Sequence, residues 1–287
     1  MLVSLCNLLE DAEKKEYAVG AFNTPTLEAV RAVIAGAEEL KVPVIISHAE
    51  VHESIVPIEI IGPIMLQAAK AAKVPVCVHL DHGSSLDLIY KAIELGFTSV
   101  MFDGSSLAYE KNVELTCKVV KDAHLKGVSV EAELGIMTTS GVGGEKIGVE
   151  EGSENKDLYT NPDLADDFVK KTNIDALAAS FGTAHGIYLK TPKLDYERLS
   201  EIRKKAQLPI VMHGGSGVSE DDYRKVIERG VRKINYYTYM SRAAGEAIRK
   251  KINASEGDVF YHDITFIAIE AMKQDAMKAM RVFNKMC

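Results

Sequence analysis

The feature that most constrains this chain is a rhythm, in which short β-branched apolar runs alternate with longer amphipathic stretches along nearly its whole length. The runs read YAVGAFN, VPVIISH, VPVCVHLD, TSVMFDG, VSVEAELG, DALAASFG, LPIVMHGG and VRKINYYT. Runs this short, apolar and β-branched read as buried strands. Between most of them, apolar residues recur at the i, i+3, i+4 spacing of a helix. The clearest such segment is SLDLIYKAIELG, which Ser85 can cap and Gly96 can close. Eight strand–helix units predict an α/β fold with a closed parallel sheet, a (β/α)8 TIM barrel. An open doubly wound sheet is the structural rival. The count of units and the lack of a Gly-rich turn after the first run favour closure.

A length of 287 residues suits one barrel domain spanning residues 1–287, although length alone would also allow two domains. Extra helices are expected at both ends. The opening MLVSLCNLLEDAEKK lacks the basic start and cleavage site of a signal peptide and reads as an amphipathic helix. The segment from about 256 to 287 contains DITFIAIEAMKQDAMKAMRVFNKM, one or two helices whose Met-rich stripe suits packing or a subunit surface. One stretch breaks the rhythm: about 135–160 is polar, rich in Gly and Glu, and too long for an ordinary connection, as an active-site lid would be. Asn161-Pro162-Asp163 then starts the next helix.

Composition narrows the function classes. A net charge of −7 argues against a nucleic-acid partner. No apolar run approaches the ~18 residues of a membrane span. Cys6, Cys77, Cys117 and Cys287 are widely spaced without a CxxC pair, so nothing implies an oxidising compartment, and a cytoplasmic location is expected.

The chemistry-bearing residues gather at strand ends. Asn23 follows the first run, His48 and Glu50 the second, Asp81 and His82 the third, and Asp103 the fourth. Glu133, His185, His213 and Asn235 follow the remaining four in order. Barrel enzymes build their sites on that rim, from several strands. His82, His185 and His213 each stand beside a glycine (Gly83, Gly186, Gly214) that lets the backbone turn or approach closely. Singly, each could be a solvated loop histidine. Jointly, three imidazoles with a fourth position open are a catalytic zinc arrangement. His79 reads as a hydrogen-bonded core residue, and His52, His124 and His262 as helix or surface histidines, with His48 undecided. Asp81 can move a proton as acid/base, or orient an imidazole. Asp103 and Glu133 can hold a second metal or anchor the histidines. Gly214, Gly215, Ser216, Asn235 and Thr238 follow the seventh and eighth strands, where barrels often cradle phosphate.

At these residues the sequence resembles the class II (metal-dependent) fructose-bisphosphate and tagatose-bisphosphate aldolase family. VGAFN, HLDHGSS, MFDGS, VEAELG, GTAHGIY, PKLDYERL, VMHGGSG and GVRKIN carry the resemblance nearly end to end. It implies a barrel, dimeric or tetrameric, with Zn2+ on His82, His185 and His213 and with Asp81 as acid/base. Asp103 and Glu133 match a second metal position. Gly186, Gly214 to Ser216, and Asn235 to Thr238 with Tyr236 and Tyr237 match a dihydroxyacetone phosphate site, near which a monovalent cation (Na+ or K+) often sits. A loop glutamate that exchanges the enediolate proton would be Glu145, with Glu150 and Glu151 behind it. Fructose 1,6-bisphosphate or a related ketose phosphate is the implied substrate. The family commonly reads N-[IV]-x-T-[DE] after the last strand, where this chain has NYYTYM. Tyr239 thus replaces an acidic residue, and Tyr237 fills an often small position. SHAEVHE after the second strand also departs from the pattern. These changes imply kept metal chemistry and an altered distal sugar pocket. The rival readings are a zinc hydrolase, a Schiff-base aldolase using Lys233, and a non-catalytic barrel.

Overall fold

In a computed structural model, described over residues 1–136, 138–139, 158–188 and 190–286, each of the eight runs contains a strand. They are β1 (Val19–Asn23), β2 (Val44–Ala49), β3 (Val76–Gly83), β4 (Ser99–Phe102), β5 (Ser129–Leu134), β6 (Ala176–Ala179), β7 (Ile210–Met212) and β8 (Val231–Tyr236). All pair in parallel, each with its neighbours in sequence, and β8 returns to β1 to close the barrel. A short extra parallel pair, Thr138–Thr139 with Ala184–His185, lies outside the barrel sheet.

A helix follows every strand. Along the chain these are α2 (Leu27–Leu40), α3 (Ile58–Ala71), α4 (Leu86–Leu95), α5 (Tyr109–His124), α6 (Pro162–Thr172), α7 (Tyr196–Ala206), α8 (Glu220–Glu228) and α9 (Thr238–Ala254). Their starts obey local chemistry. Ser85 accepts the Leu88 N–H ahead of α4, and Gly96 ends that helix at φ 99°. Asn161 caps α6 with Pro162 as its first residue, as the sequence implies. Two further helices complete the chain: α1 (Leu5–Lys15) before the first strand and α10 (Tyr261–Phe283) at the end. The C-terminal segment is therefore one long helix. It packs on α2 and α9, burying Met272, Met277 and Met280 within the chain.

Strand periodicity sorts the side chains onto two sides of the sheet. Val44 and Ile46, Val76, Val78 and Leu80, Val130 and Ala132, and Ile210 and Met212 join the large core beneath the helices. The alternate positions face the barrel axis. At its N-terminal end, Val19, Ala21, Ile45, Cys77, Met101, Ala176, Ala178 and Val211 form a second cluster with Leu5, Leu8, Leu9 and Ala12 of α1. The first helix thus stoppers the lower mouth, and each of its leucines contributes roughly 1.5–3 kcal/mol by leaving water. One inward step further along the strands the interior turns polar: His79 on β3, Glu131 on β5 and Lys233 on β8 are all fully buried. Another step brings Asp81, Glu133 and Asn235 to the upper mouth.

His79 is the core histidine anticipated from sequence, hydrogen-bonded through Nδ1 to Ser99 Oγ at 2.8 Å. Burial, helped by the nearby Lys233 charge, lowers its pKa to about 3. A base whose folded pKa is depressed contributes stability that is complete above its unfolded value near 6.5 and is lost as pH falls toward 3. In that window His79 should cost about 1.4 kcal/mol per pH unit. Urea unfolding of metal-stripped protein between pH 7 and 4.5 should therefore show a shallower acid limb in His79→Gln, by about that slope.

Candidate active site

Asp81 and His82 are adjacent in sequence, yet a regular strand would send them to opposite faces. A register shift against β4 between Leu80 and Gly83 removes that restriction. His82 takes the left-handed φ of 49°, so both side chains reach the upper mouth. Gly83 permits the turn: a Cβ there would lie 2.7 Å from the Met101 carbonyl oxygen. Gly214, beside His213, has φ 64° and runs against the Ala184 backbone, a position a side chain could not share.

The three histidines meet. Ring centroids lie 4.4 Å apart for His82–His213, 4.9 Å for His82–His185 and 5.8 Å for His185–His213. One ligand atom from each falls within 4.8 Å of the others, and the same holds for His82, Asp103 and Glu133. His213 turns Nδ1 toward His82 Nε2 at 2.7 Å, while its Nε2 lies 2.9 Å from Glu131 Oε1. His82 Nδ1 lies 2.8 Å from Asp103 Oδ2, and Asp103 is held in turn by the Ser105 backbone N–H and hydroxyl. Asp81 Oδ1 accepts from Asn235 Nδ2 at 2.9 Å.

The electrostatics are those of an over-acidic hole. Burial alone would raise Asp81, but His82 and Lys233 together hold it far below the usual carboxylate range. Burial would lower His82, yet Asp81 and the bond to Asp103 raise it to about 9. Burial and the His82 charge keep His185 neutral, at about 3, and lower His213 as well. Glu133 is pushed up to about 8 by burial and by Asp103, and its Oε2 is buried without a hydrogen-bond partner. Two imidazoles held neutral, a third whose proton a cation would displace, and excess carboxylate make the donor set a divalent cation requires, so the residues fit a metal.

The histidines sit beneath a cavity of about 450 Å3. Its wall contains Asn23, Asp81, His82, Asp103, Glu133, His185, Gly186, Gly214, Gly215, Ser216, Asn235, Tyr236, Tyr237 and Thr238, nearly the whole set expected from sequence. His213 lies fully buried behind them. Ser216 Oγ accepts the Tyr237 N–H at 3.0 Å, tying the loop after β7 to the start of α9. Glu145, Glu150 and Glu151 lie outside the described residues.

Several details differ from the sequence reading. Tyr236 borders the cavity, but its hydroxyl turns outward to donate to Asp275 Oδ1 at 2.9 Å. Tyr239 also points away, its ring against Gly217, so of the two tyrosine departures only Tyr237 is on the cavity wall. His52 is no surface histidine. It is 7% exposed, lines the cavity, and places its ring 5.1 Å from that of Tyr237. A 3-10 turn over Glu50–Ser54 brings it there, and its only prior signal was that SHAEVHE departs from the family pattern. His48 faces outward and bonds Glu53 at 2.6 Å, which settles its structural part. Glu50 accepts from Ser84 and Ser85, joining the loops after β2 and β3. His124 pairs with Asp175, and His262 is a surface residue. Lys233 is absent from the cavity wall and ion-paired to Glu131, unsuited to a Schiff base. Cys77 is a buried thiol pushed up to about 12 by desolvation, inert as expected.

Comparison with known proteins converges on one group. The family profile described as Fructose-bisphosphate aldolase class-II matches residues 3–286. A probable fructose-bisphosphate aldolase of Bacillus subtilis is 39% identical over 99% of this chain and 98% of its own length. The fructose-bisphosphate aldolase of Geobacillus stearothermophilus is 37% identical over 99% and 97%. Among solved structures, the YdjI aldolase from Escherichia coli K12 superposes with a TM-score of 0.86 at 33% identity, covering 99% of this chain and 97% of that one.

Because Asp103 orients the His82 ring, Asp103→Asn should weaken any divalent-metal binding at these histidines about 10- to 100-fold, as loss of an outer carboxylate partner does elsewhere. Competition against a chromogenic chelator would measure it. An unchanged affinity would mean that the bond does not hold the ligand.

Proposed function

This chain belongs to the class II fructose-bisphosphate aldolase family, and from that premise we propose that it reversibly cleaves a phosphorylated ketose into dihydroxyacetone phosphate and an aldehyde. Fructose 1,6-bisphosphate or a related ketose phosphate is the substrate, and glyceraldehyde 3-phosphate the aldehyde formed from the bisphosphate. The observation that carries the reading is the convergence of His82, His185 and His213 beside Asp81 on one cavity. His82, His185 and His213 would hold Zn2+, and Asp103 and Glu133 a second position shared with His82. A zinc ion there supplies Lewis acidity toward a ketose carbonyl and compensates negative charge that develops on it.

The protein's own groups do the rest. Asp81 is ionised at neutral pH and therefore acts as the base in cleavage. It accepts the C4 hydroxyl proton as the C3–C4 bond breaks and C4 becomes an aldehyde, and returns that proton in condensation. The Asn235 amide fixes which Asp81 oxygen remains free. For the phosphate, Gly186, Gly214, Gly215 and Ser216 provide a tight backbone wall. Thr238 begins the 17-residue helix α9, whose first-turn N–H groups have no partners within the helix and suit an anion. A Na+ or K+ ion near this loop would offset part of the phosphate charge. Asn23 and Tyr237 stand on the same wall to meet the sugar. Glu145 is assigned the proton exchange on the enediolate carbon.

No helix of the described residues is long and apolar enough to cross a membrane. A cytoplasmic homodimer or homotetramer fits the family, with exposed Phe260, Tyr261 and Phe266 on or beside α10 as candidate contacts. Light scattering would give the mass.

A zinc-loaded substrate panel tests the central claim, reading triose phosphate release from fructose 1,6-bisphosphate, tagatose 1,6-bisphosphate and a ketose 1-phosphate. No release from any ketose phosphate would overturn it. His185→Ala should lose both metal and turnover. Asp81→Ala should retain about one zinc per chain while kcat falls about 10²- to 10⁴-fold.

A further inference from the structure

Beneath the cavity lies a charged group that neither the acid/base step nor the phosphate site uses. Lys233 and Glu131 are both 0% exposed, and Lys233 Nζ lies 2.8 Å from Glu131 Oε2. The other carboxylate oxygen, Oε1, meets His213 Nε2 at 2.9 Å. His79 Nε2 approaches Oε2 at 3.7 Å, and the His79 ring is itself fixed by Ser99. Neither Lys233 nor Glu131 borders the cavity, so neither can touch a substrate there.

We infer that Lys233 and Glu131 are positioning residues that fix His213 as an Nδ1 metal ligand. Neutral imidazole donates from one ring nitrogen and offers a lone pair on the other. A carboxylate can only accept, so Glu131 claims the Nε2 proton and leaves the Nδ1 lone pair facing His82 and Asn235. Holding Oε2 from below, Lys233 sets the angle at which Oε1 meets the ring. It also compensates a carboxylate that would be costly to bury alone. The spacing follows from strand geometry. Lys233 and Asn235 are both inward on β8, one strand period apart, as are Glu131 and Glu133 on β5. Each strand thus supplies one group to the site and one to the layer that supports it.

The inference rests on the metal reading of the three histidines, and the test separates the two. Zinc dissociation constants would be measured by chelator competition for the full chain, Lys233→Met, Glu131→Gln and the double variant, with circular dichroism reporting folding. Lys233→Met should weaken zinc about 10- to 100-fold. The double variant removes both buried charges together and should recover thermal stability without recovering zinc affinity. Zinc affinity within twofold of the parent in either folded variant would overturn the inference. If neither folds, nitrogen NMR of the zinc-loaded parent decides: His213 protonated at Nε2 and ligated through Nδ1 supports it, and ligation through Nε2 overturns it. A parent chain that binds zinc but cleaves no ketose phosphate would refute the aldolase reading while leaving this inference intact.

Discussion

Asp81, Glu131 and Glu133 are buried in the upper barrel, and Asp103 is partly buried at its rim. Carboxylates so placed are stable only if positive charge or donors meet them. Lys233 and the proton held by His82 meet part of that demand, and the raised Glu133 shows that part remains. This imbalance organises the site. It orients the imidazoles and creates a place where a dication is favoured over water, while the His82 and Lys233 charges keep Asp81 ionised. An apolar filling of the same barrel would be easier to bury and would bind nothing.

The layering along the axis follows from the period of a strand. Residues two apart face the same way and stand about 6.6 Å apart. On β3, Cys77, His79 and Asp81 therefore mark three levels: the apolar floor with α1, the charged layer, and the cavity. The outward residues between them belong to a separate core beneath the helices. One alternating sequence thus encodes both the packing that holds the barrel closed and the depth at which each polar group sits.

Much of this was legible in the residues. The eight strands, the caps at Ser85 and Asn161, and both terminal helices follow from local patterns that the packing does not contradict. The rim residues were readable because a parallel barrel puts every strand's C-terminal end on one face. What escaped depends on side-chain direction. His52 looked superficial because a short 3-10 turn has no periodic signature, and only the folded path carries it to the cavity. Tyr239 and Tyr236 belong to a continuous motif, yet each ring is claimed by contacts from distant parts of the chain. The service of Lys233 to His213 passes through Glu131 on a third strand, a relation no linear spacing displays.

The left-handed backbone at His82 has a consequence for protein engineering. An L-residue in that region carries a conformational cost of about 1–2 kcal/mol, which glycine escapes. Exchanging this histidine for alanine removes the imidazole and keeps the cost, whereas exchanging it for glycine removes both. A library ranked only by thermal tolerance would therefore drift toward glycine and asparagine at this position, enriching well-folded proteins that lack the proposed metal-binding imidazole.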